Sequence, residues 1–169
     1  WLNDQNFDEG TREKISQAVP PTKQVAEDVV LALDLNSGTV LWKTSLDSVP
    51  TGRKSSSTPC LANGKIFAVG SKRIYCLDSK SGSPVWDKPL PTQEVASSIM
   101  PVRQSVVVLA GNLRAYNQVD GTLLWENNTV KGKAASPVIW QTPREEMILC
   151  NSNKSVVAVN PLDGTTRWE

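Results

Sequence analysis

Four stretches of the chain share one eleven-residue frame: Ala32 to Trp42 (ALDLNSGTVLW), Cys76 to Trp86 (CLDSKSGSPVW), Ala115 to Trp125 (AYNQVDGTLLW) and Ala158 to Trp168 (AVNPLDGTTRW). Each copy places a small residue first (Ala32, Cys76, Ala115, Ala158) and an Asp or Asn third (Asp34, Asp78, Asn117, Asn160). A glycine stands seventh (Gly38, Gly82, Gly121, Gly164) and a tryptophan eleventh (Trp42, Trp86, Trp125, Trp168). Successive tryptophans are 44, 39 and 43 residues apart, the period of one four-stranded propeller blade per repeat. A chain built this way stacks copies of one supersecondary unit.

The frame reads as a hairpin. Its first half continues an apolar run such as Val29-Val30-Leu31 or Val156-Val157, which predicts a buried strand. The glycine supplies the positive φ of a tight turn, and the third-position Asp or Asn is placed to accept hydrogen bonds from turn amides. A second strand then carries the tryptophan. One large ring per repeat predicts that each docks into the space left by a small side chain on the neighbouring sheet, removing roughly 150–250 Å² from water per blade. The sixteen named residues are accordingly read as structural docking positions. Because Asn replaces Asp in two copies, that position is assigned to hydrogen bonding rather than proton transfer.

The pattern resembles the tryptophan-docking motif of the PQQ-like (pyrroloquinoline-quinone repeat) β-propeller superfamily, which spans BamB-like assembly proteins and quinoprotein dehydrogenases. The resemblance covers residues 29–169 and implies an all-β propeller of four-stranded antiparallel blades. This chain would supply about half, three to four blades, of a roughly seven- or eight-bladed ring. The expected organisation is a partial strand and polar insertion over 1–28, the end of a first blade over 29–54, and further blades over 55–92, 93–130 and 131–169. Within the insertion, Asp8 to Ala18 is expected to form a turn or two of helix and Trp1-Leu2 the tail of a strand. The later blades are expected to carry strands over 55–62, 65–71, 73–79 and 84–90; over 96–102, 106–111, 113–118 and 123–127; and over 135–141, 147–152, 155–160 and 165–169. Asn63-Gly64 is a strong two-residue hairpin signal.

Several chemistries are excluded by what the chain lacks. There is no histidine, so no imidazole base or His-ligated zinc. Cys60, Cys76 and Cys150 are too far apart for a CxxC site and read as buried free thiols. Net charge is +1, which gives no electrostatic reason to expect nucleic acid or an anionic membrane as partner, and no apolar run is long enough to span a bilayer. Lys72-Arg73, Arg103, Arg114 and Lys131-Gly132-Lys133 fall near expected strand ends and read as a solvated rim, the alternative being that they gather at one mouth of the central channel to bind an anionic ligand; Glu145-Glu146 reads as a solvated loop. Trp140, outside the frame on an expected innermost strand, is expected to pack ordinarily, the alternative being that it lines the channel or stacks on a ligand. Asn127-Asn128-Thr129 and Asn153-Lys154-Ser155 match the glycosylation sequon.

No catalytic, cofactor-binding or metal-ligating residue is assigned. The expected function is a non-catalytic platform that binds a protein or small ligand at a propeller face, continues into further blades of the same protein, and is periplasmic or secreted by family resemblance. The alternative implied by the same resemblance is part of a PQQ- and Ca²⁺-dependent alcohol or sugar dehydrogenase whose catalytic groups lie outside this segment. The adjacent cysteines typical of that group do not occur here.

Overall fold

The computed structural model describes residues 8–18, 28–46, 57–70, 72–91 and 96–169. The expectation for Trp1-Leu2 therefore lies outside the described residues. Helix α1 (Glu9–Ala18) is longer than the turn or two expected. Asp8 caps it, its Oδ1 accepting the Thr11 amide at 3.0 Å and its Oδ2 the Thr11 hydroxyl at 2.6 Å, which satisfies an otherwise orphaned first-turn donor.

All remaining elements are strands in four antiparallel sheets. The first pairs β1 (Asp28–Leu33) with β2 (Val40–Leu46). The second runs β3 (Cys60–Ala62), β4 (Lys65–Val69), β5 (Arg73–Asp78) and β6 (Pro84–Pro89); the third runs β7 (Met100–Val102), β8 (Ser105–Asn117) and β9 (Leu123–Gly132). The fourth holds β10 (Val138–Gln141), β11 (Glu146–Asn151), β12 (Val156–Val159) and β13 (Thr166–Trp168). Strand order in every sheet is sequence order, so each sheet is a meander.

Two strands expected over 106–111 and 113–118 instead form the single run β8. It spans 13 residues and would extend roughly 40 Å if straight. It folds back on itself: the Gln118 amide donates to the Gln104 carbonyl at 3.0 Å, with the reversal at Gly111, whose φ is +77°. The turn residues are themselves paired, Gly111 with Gly132 and Asn112 with Lys131, and this keeps the run unbroken. The same pairing carries β9 to Gly132, beyond the expected end at Asn127. First strands are shorter than expected, beginning at Cys60, Met100 and Val138.

The sheets stack face to face, and the core lies between them in three layers. Leu46, Tyr75 and Leu77 fill the first gap; Phe67, Cys76, Val106 and Val108 are among those filling the second; Val107, Leu109, Trp125 and Ile148 belong to the third. Val106 to Ala110 are all 0% exposed. Alternate residues of that run face opposite neighbours, as a strand covered on both faces requires.

Candidate functional site

The four frame turns share one pattern of backbone hydrogen bonds. In each, the third-position backbone N–H and C=O close the hairpin: Asp78 N–H donates to the Ser83 carbonyl at 2.9 Å, and Gly82 N–H donates to the Asp78 carbonyl at 2.8 Å. Where the frame has Asp, its carboxylate binds the two following amides and a serine hydroxyl. Asp34 accepts from the amides of Asn36 (3.1 Å) and Ser37 (2.8 Å) and from Ser37 Oγ; Asp78 does the same with Lys80 and Ser81. Where the frame has Asn, the residue three on is an Asp. Asn117 then accepts only from the Val119 amide at 2.7 Å, while Asp120 accepts from the Thr122 amide and hydroxyl. Asn160 and Asp163 repeat that division with Leu162 and Thr165. These hydrogen bonds hold Asp34, Asp78, Asp120 and Asp163 below the usual aspartate value.

A register shift follows the small residue in every frame, between Ala32/Leu33, Cys76/Leu77, Ala115/Tyr116 and Ala158/Val159. The bulge aims the tryptophan out of its own sheet. Trp42 lies against Gly82, Trp86 against Gly121 and Trp125 against Gly164: a Cβ added to those glycines would fall 2.4, 2.6 and 2.5 Å from the respective ring Cε3. Each indole N–H donates at 3.1 Å to a carbonyl of the same neighbouring turn, of Ser79, Gln118 and Pro161 respectively.

One expectation needs correcting. The small residue does not make room on the neighbouring sheet; Ala32, Cys76, Ala115 and Ala158 are cross-strand partners of Trp42, Trp86, Trp125 and Trp168 within one sheet. The room on the neighbour is made by glycine. At the ends of the series, nothing among the described residues lies within 4 Å of a Cβ built on Gly38, and Trp168 is 42% exposed. Trp168 stacks edge-on against Trp140, centroids 6.0 Å apart, so Trp140 belongs to the same open face.

Three further residues join the sheets and were missed by sequence reasoning. Two positions after the tryptophan, Thr44 Oγ1 and Asn127 Nδ2 donate to the carbonyls of Gly82 (2.7 Å) and Gly164 (2.8 Å); the second sheet has Lys88 at this position, so the residue type does not repeat. Gln118 is buried and spans the second and third sheets, donating to the Ser105 carbonyl at 2.8 Å and accepting from Asn63 Nδ2 at 2.7 Å. Its counterparts are Leu35, Ser79 and Pro161, so no periodic signal marks it.

The basic residues do not gather at one mouth. Arg73 pairs with Asp87, and Arg103 with Glu146 at 2.7 Å. Glu146 is thus a strand residue in an ion pair rather than a solvated loop residue. Arg114, expected on the rim, is buried; it bonds Glu126 at 2.8 Å and the Ala110 carbonyl at 2.8 Å, with its Nε unpartnered. Lys131 and Lys133 are exposed beside a cleft of about 330 Å³. Asn127 is buried with both amide atoms engaged, which closes its sequon to modification. Cys76 and Cys150 are buried free thiols and Cys60 is partly buried; loss of solvation raises all three to about 11, leaving no thiolate nucleophile near neutral pH. Among the described residues no cluster of three or more His, Cys, Asp or Glu is placed to hold a metal ion, and no helix is long and apolar enough to cross a membrane.

Comparison with known proteins gives a consistent picture. The outer membrane protein assembly factor BamB of Moranella endobia (strain PCIT) is 31% identical over 111 residues, covering 59% of this chain and 28% of that protein. The crystal structure of BamB from Moraxella catarrhalis aligns with a TM-score of 0.60 at 21% identity, covering 83% of this chain and 45% of the other. A europium-containing methanol dehydrogenase aligns at 0.66 and 15% identity, over 83% of this chain and 37% of that enzyme; these two likenesses bear on the fold alone. The sheets are β-propeller blades of the PQQ-like type. The chain spans between 28% and 38% of the length of the curated relatives it matches. With the repeat geometry in place and a family model described as outer membrane protein assembly factor BamB matching residues 26–169, the chain belongs to the BamB family.

Proposed function

We propose that this chain forms consecutive blades of a larger, non-catalytic propeller that faces the periplasm and binds protein partners during outer-membrane assembly. The observation that carries the reading is the family match across residues 26–169. The site geometry supports it, because the repeated polar groups are engaged in holding turns and blades together. Asp34, Asp78, Asn117 and Asn160 all accept turn amides, and the indole N–H groups of Trp42, Trp86 and Trp125 bind the adjoining blade. The sixteen frame residues are therefore assigned to the scaffold, with blades divided as 29–54, 55–92, 93–130 and 131–169. No cofactor is called for. Binding falls to the loops at the blade ends, which a rigid frame can vary without cost to the core.

The open surface at Trp168 and Trp140 is assigned to a further blade of the same protein. Three internal interfaces show what such a surface receives: a tryptophan from the preceding blade at the glycine, and a glycine turn from the following blade at the tryptophan.

The test is complementation. Full-length protein carrying this chain is expressed in a bacterium lacking its own BamB, and the outer-membrane permeability barrier is measured. Restoration of the barrier is expected. A protein that fails to restore it, yet binds PQQ and Ca²⁺ stoichiometrically and reduces dye with alcohols, would replace the platform with a dehydrogenase.

A further inference from the structure

The ends of the blades differ in charge chemistry. The frame turns share one end with the short turns at Asn63-Gly64 and Arg103-Gln104, as the bonds from the Ser79 amide to the Gly64 carbonyl and from the Gln118 amide to the Gln104 carbonyl show. At the opposite end the chain crosses from one blade to the next, and here the Asn153 amide donates to the Lys131 carbonyl at 2.9 Å. Between the third and fourth sheets at this end lies the cleft lined by Gly111, Asn112, Lys131, Gly132, Lys133 and Asn153.

Among the described residues no carboxylate lines that cleft. The nearest in the hydrogen-bond network, Glu126, is engaged by Arg114 Nη2 at 2.8 Å and by the side-chain amide of Asn112 at the cleft's edge. Asn112 donates its other hydrogen bond to Asn128 at 2.6 Å and accepts from Lys131 Nζ, so its orientation is fixed. Lys131 spends one of three ammonium donors there. Among the described residues Lys133 has no carboxylate partner. Three cations, Arg114, Lys131 and Lys133, thus stand against the single carboxylate of Glu126, and the surplus positive charge faces solvent. By contrast Arg73 and Arg103 are neutralised by Asp87 and Glu146.

The cleft is also held still. The Lys131 amide donates to Ser152 Oγ at 3.2 Å, and that hydroxyl donates back to the Lys131 carbonyl at 3.0 Å. Gly132 is buried between the two lysines, and a Cβ there would stand 3.1 Å from Leu109 Cδ2; main chain therefore forms the floor. Lys131, Lys133 and Asn153 are exposed, so a polypeptide can pass over the rim and lower a side chain into the cleft.

We propose that this cleft docks carboxylate side chains of an acidic segment on a protein partner, received by the Lys131 and Lys133 ammonium groups and the Asn153 amide over a floor at Gly132. The proposal rests on the platform reading and adds the chemistry of what the platform holds. Ammonium groups on flexible stems act as point charges that suit single carboxylates, and the attraction steers encounter more than it adds final affinity.

The test uses the full-length protein and a fluorescein-labelled peptide rich in Glu and Asp, followed by anisotropy at low and at physiological salt. The wild type is expected to bind, with affinity falling as salt rises. The double variant K131Q/K133Q should lose affinity on the order of tenfold, whereas K80Q, in a frame turn at the other end, should keep it. Equal binding by the double variant, or an equal loss in K80Q, would overturn the proposal. So would displacement of the peptide by inorganic phosphate at an ionic strength where free glutamate leaves it bound, because the site would then select phosphate. Peptide binding that fails while complementation succeeds removes the acidic docking and leaves the platform; peptide binding where complementation fails removes the platform reading and with it the role given to the docking.

Discussion

Whether the third frame position is Asp or Asn is decided by the residue three places on. Asp34 and Asp78 are followed by Ser37 and Ser81, whose amides and hydroxyls donate to the carboxylate. Asn117 and Asn160 are followed by Asp120 and Asp163, which take their own amide donors. A second carboxylate in so tight a turn would face the first, so the amide is the electrostatically compatible choice. Asn117→Asp is therefore expected to lower the melting temperature at pH 7, and adding Asp120→Ser, which recreates the arrangement of Asp34 with Ser37, should restore it. The pH dependence follows from sign. The native aspartates sit below their ordinary value of 3.8, so the stability they contribute is present above that value and lost as pH falls through the lower folded value. In the variant, repulsion between the two carboxylates raises the pKa of one of them above the ordinary 3.8, so the deficit of Asn117→Asp should shrink as pH falls through that raised value towards 3.8. A deficit that stays constant with pH, measured by thermal unfolding, would locate the cause in packing instead.

At the scale of the element, the ring outweighs its hydrogen bond. Burying roughly 150–250 Å² of indole at about 25 cal/mol per Å² gives ~4–6 kcal/mol as an upper bound, against about 1 kcal/mol for the N–H bond. The glycine beneath the ring has two reasons to be glycine, its φ of +71° at Gly121 and the Trp86 ring pressed against it. Gly64 has the first reason without the second: its φ is +70° and nothing lies within 4 Å of an added Cβ. Gly64→Ala should cost roughly 1–2 kcal/mol for the left-handed backbone. Gly121→Ala should cost a further ~1–3 kcal/mol as the ring is displaced, a difference that denaturant unfolding of the full-length protein would resolve. Equal costs would mean that the ring does not bear on the glycine. The hairpin of each frame was legible in the sequence because turn chemistry and apolar patterning coincide there. The bulge that aims the tryptophan was not, since the skipped residues Leu41, Val85 and Leu124 are aliphatic like many ordinary strand residues and Arg167 breaks even that pattern. Nor was Gln118, whose side chain joins two blades without a counterpart in the other repeats, or the burial of Arg114, which depends on the fold-back of β8.

For the whole molecule, the three docked interfaces make the blade order directional: a tryptophan always points to the glycine of the blade that follows. Such a series closes only when every glycine has a ring and every ring a glycine, which is how a propeller removes its exposed edges. In this chain Val138, Trp140, Val156 and Trp168 remain 41–54% exposed on the last blade, while Trp125 in the docked position is 8% exposed. The most direct measurement is hydroxyl-radical footprinting of the full-length protein, comparing oxidation rates at Trp168, Trp140 and Trp125. The account predicts that Trp168 and Trp140 are protected to the same degree as Trp125, because a following blade lays its glycine turn against them. Oxidation of Trp168 and Trp140 at the rate of freely exposed tryptophan, with Trp125 protected, would contradict it.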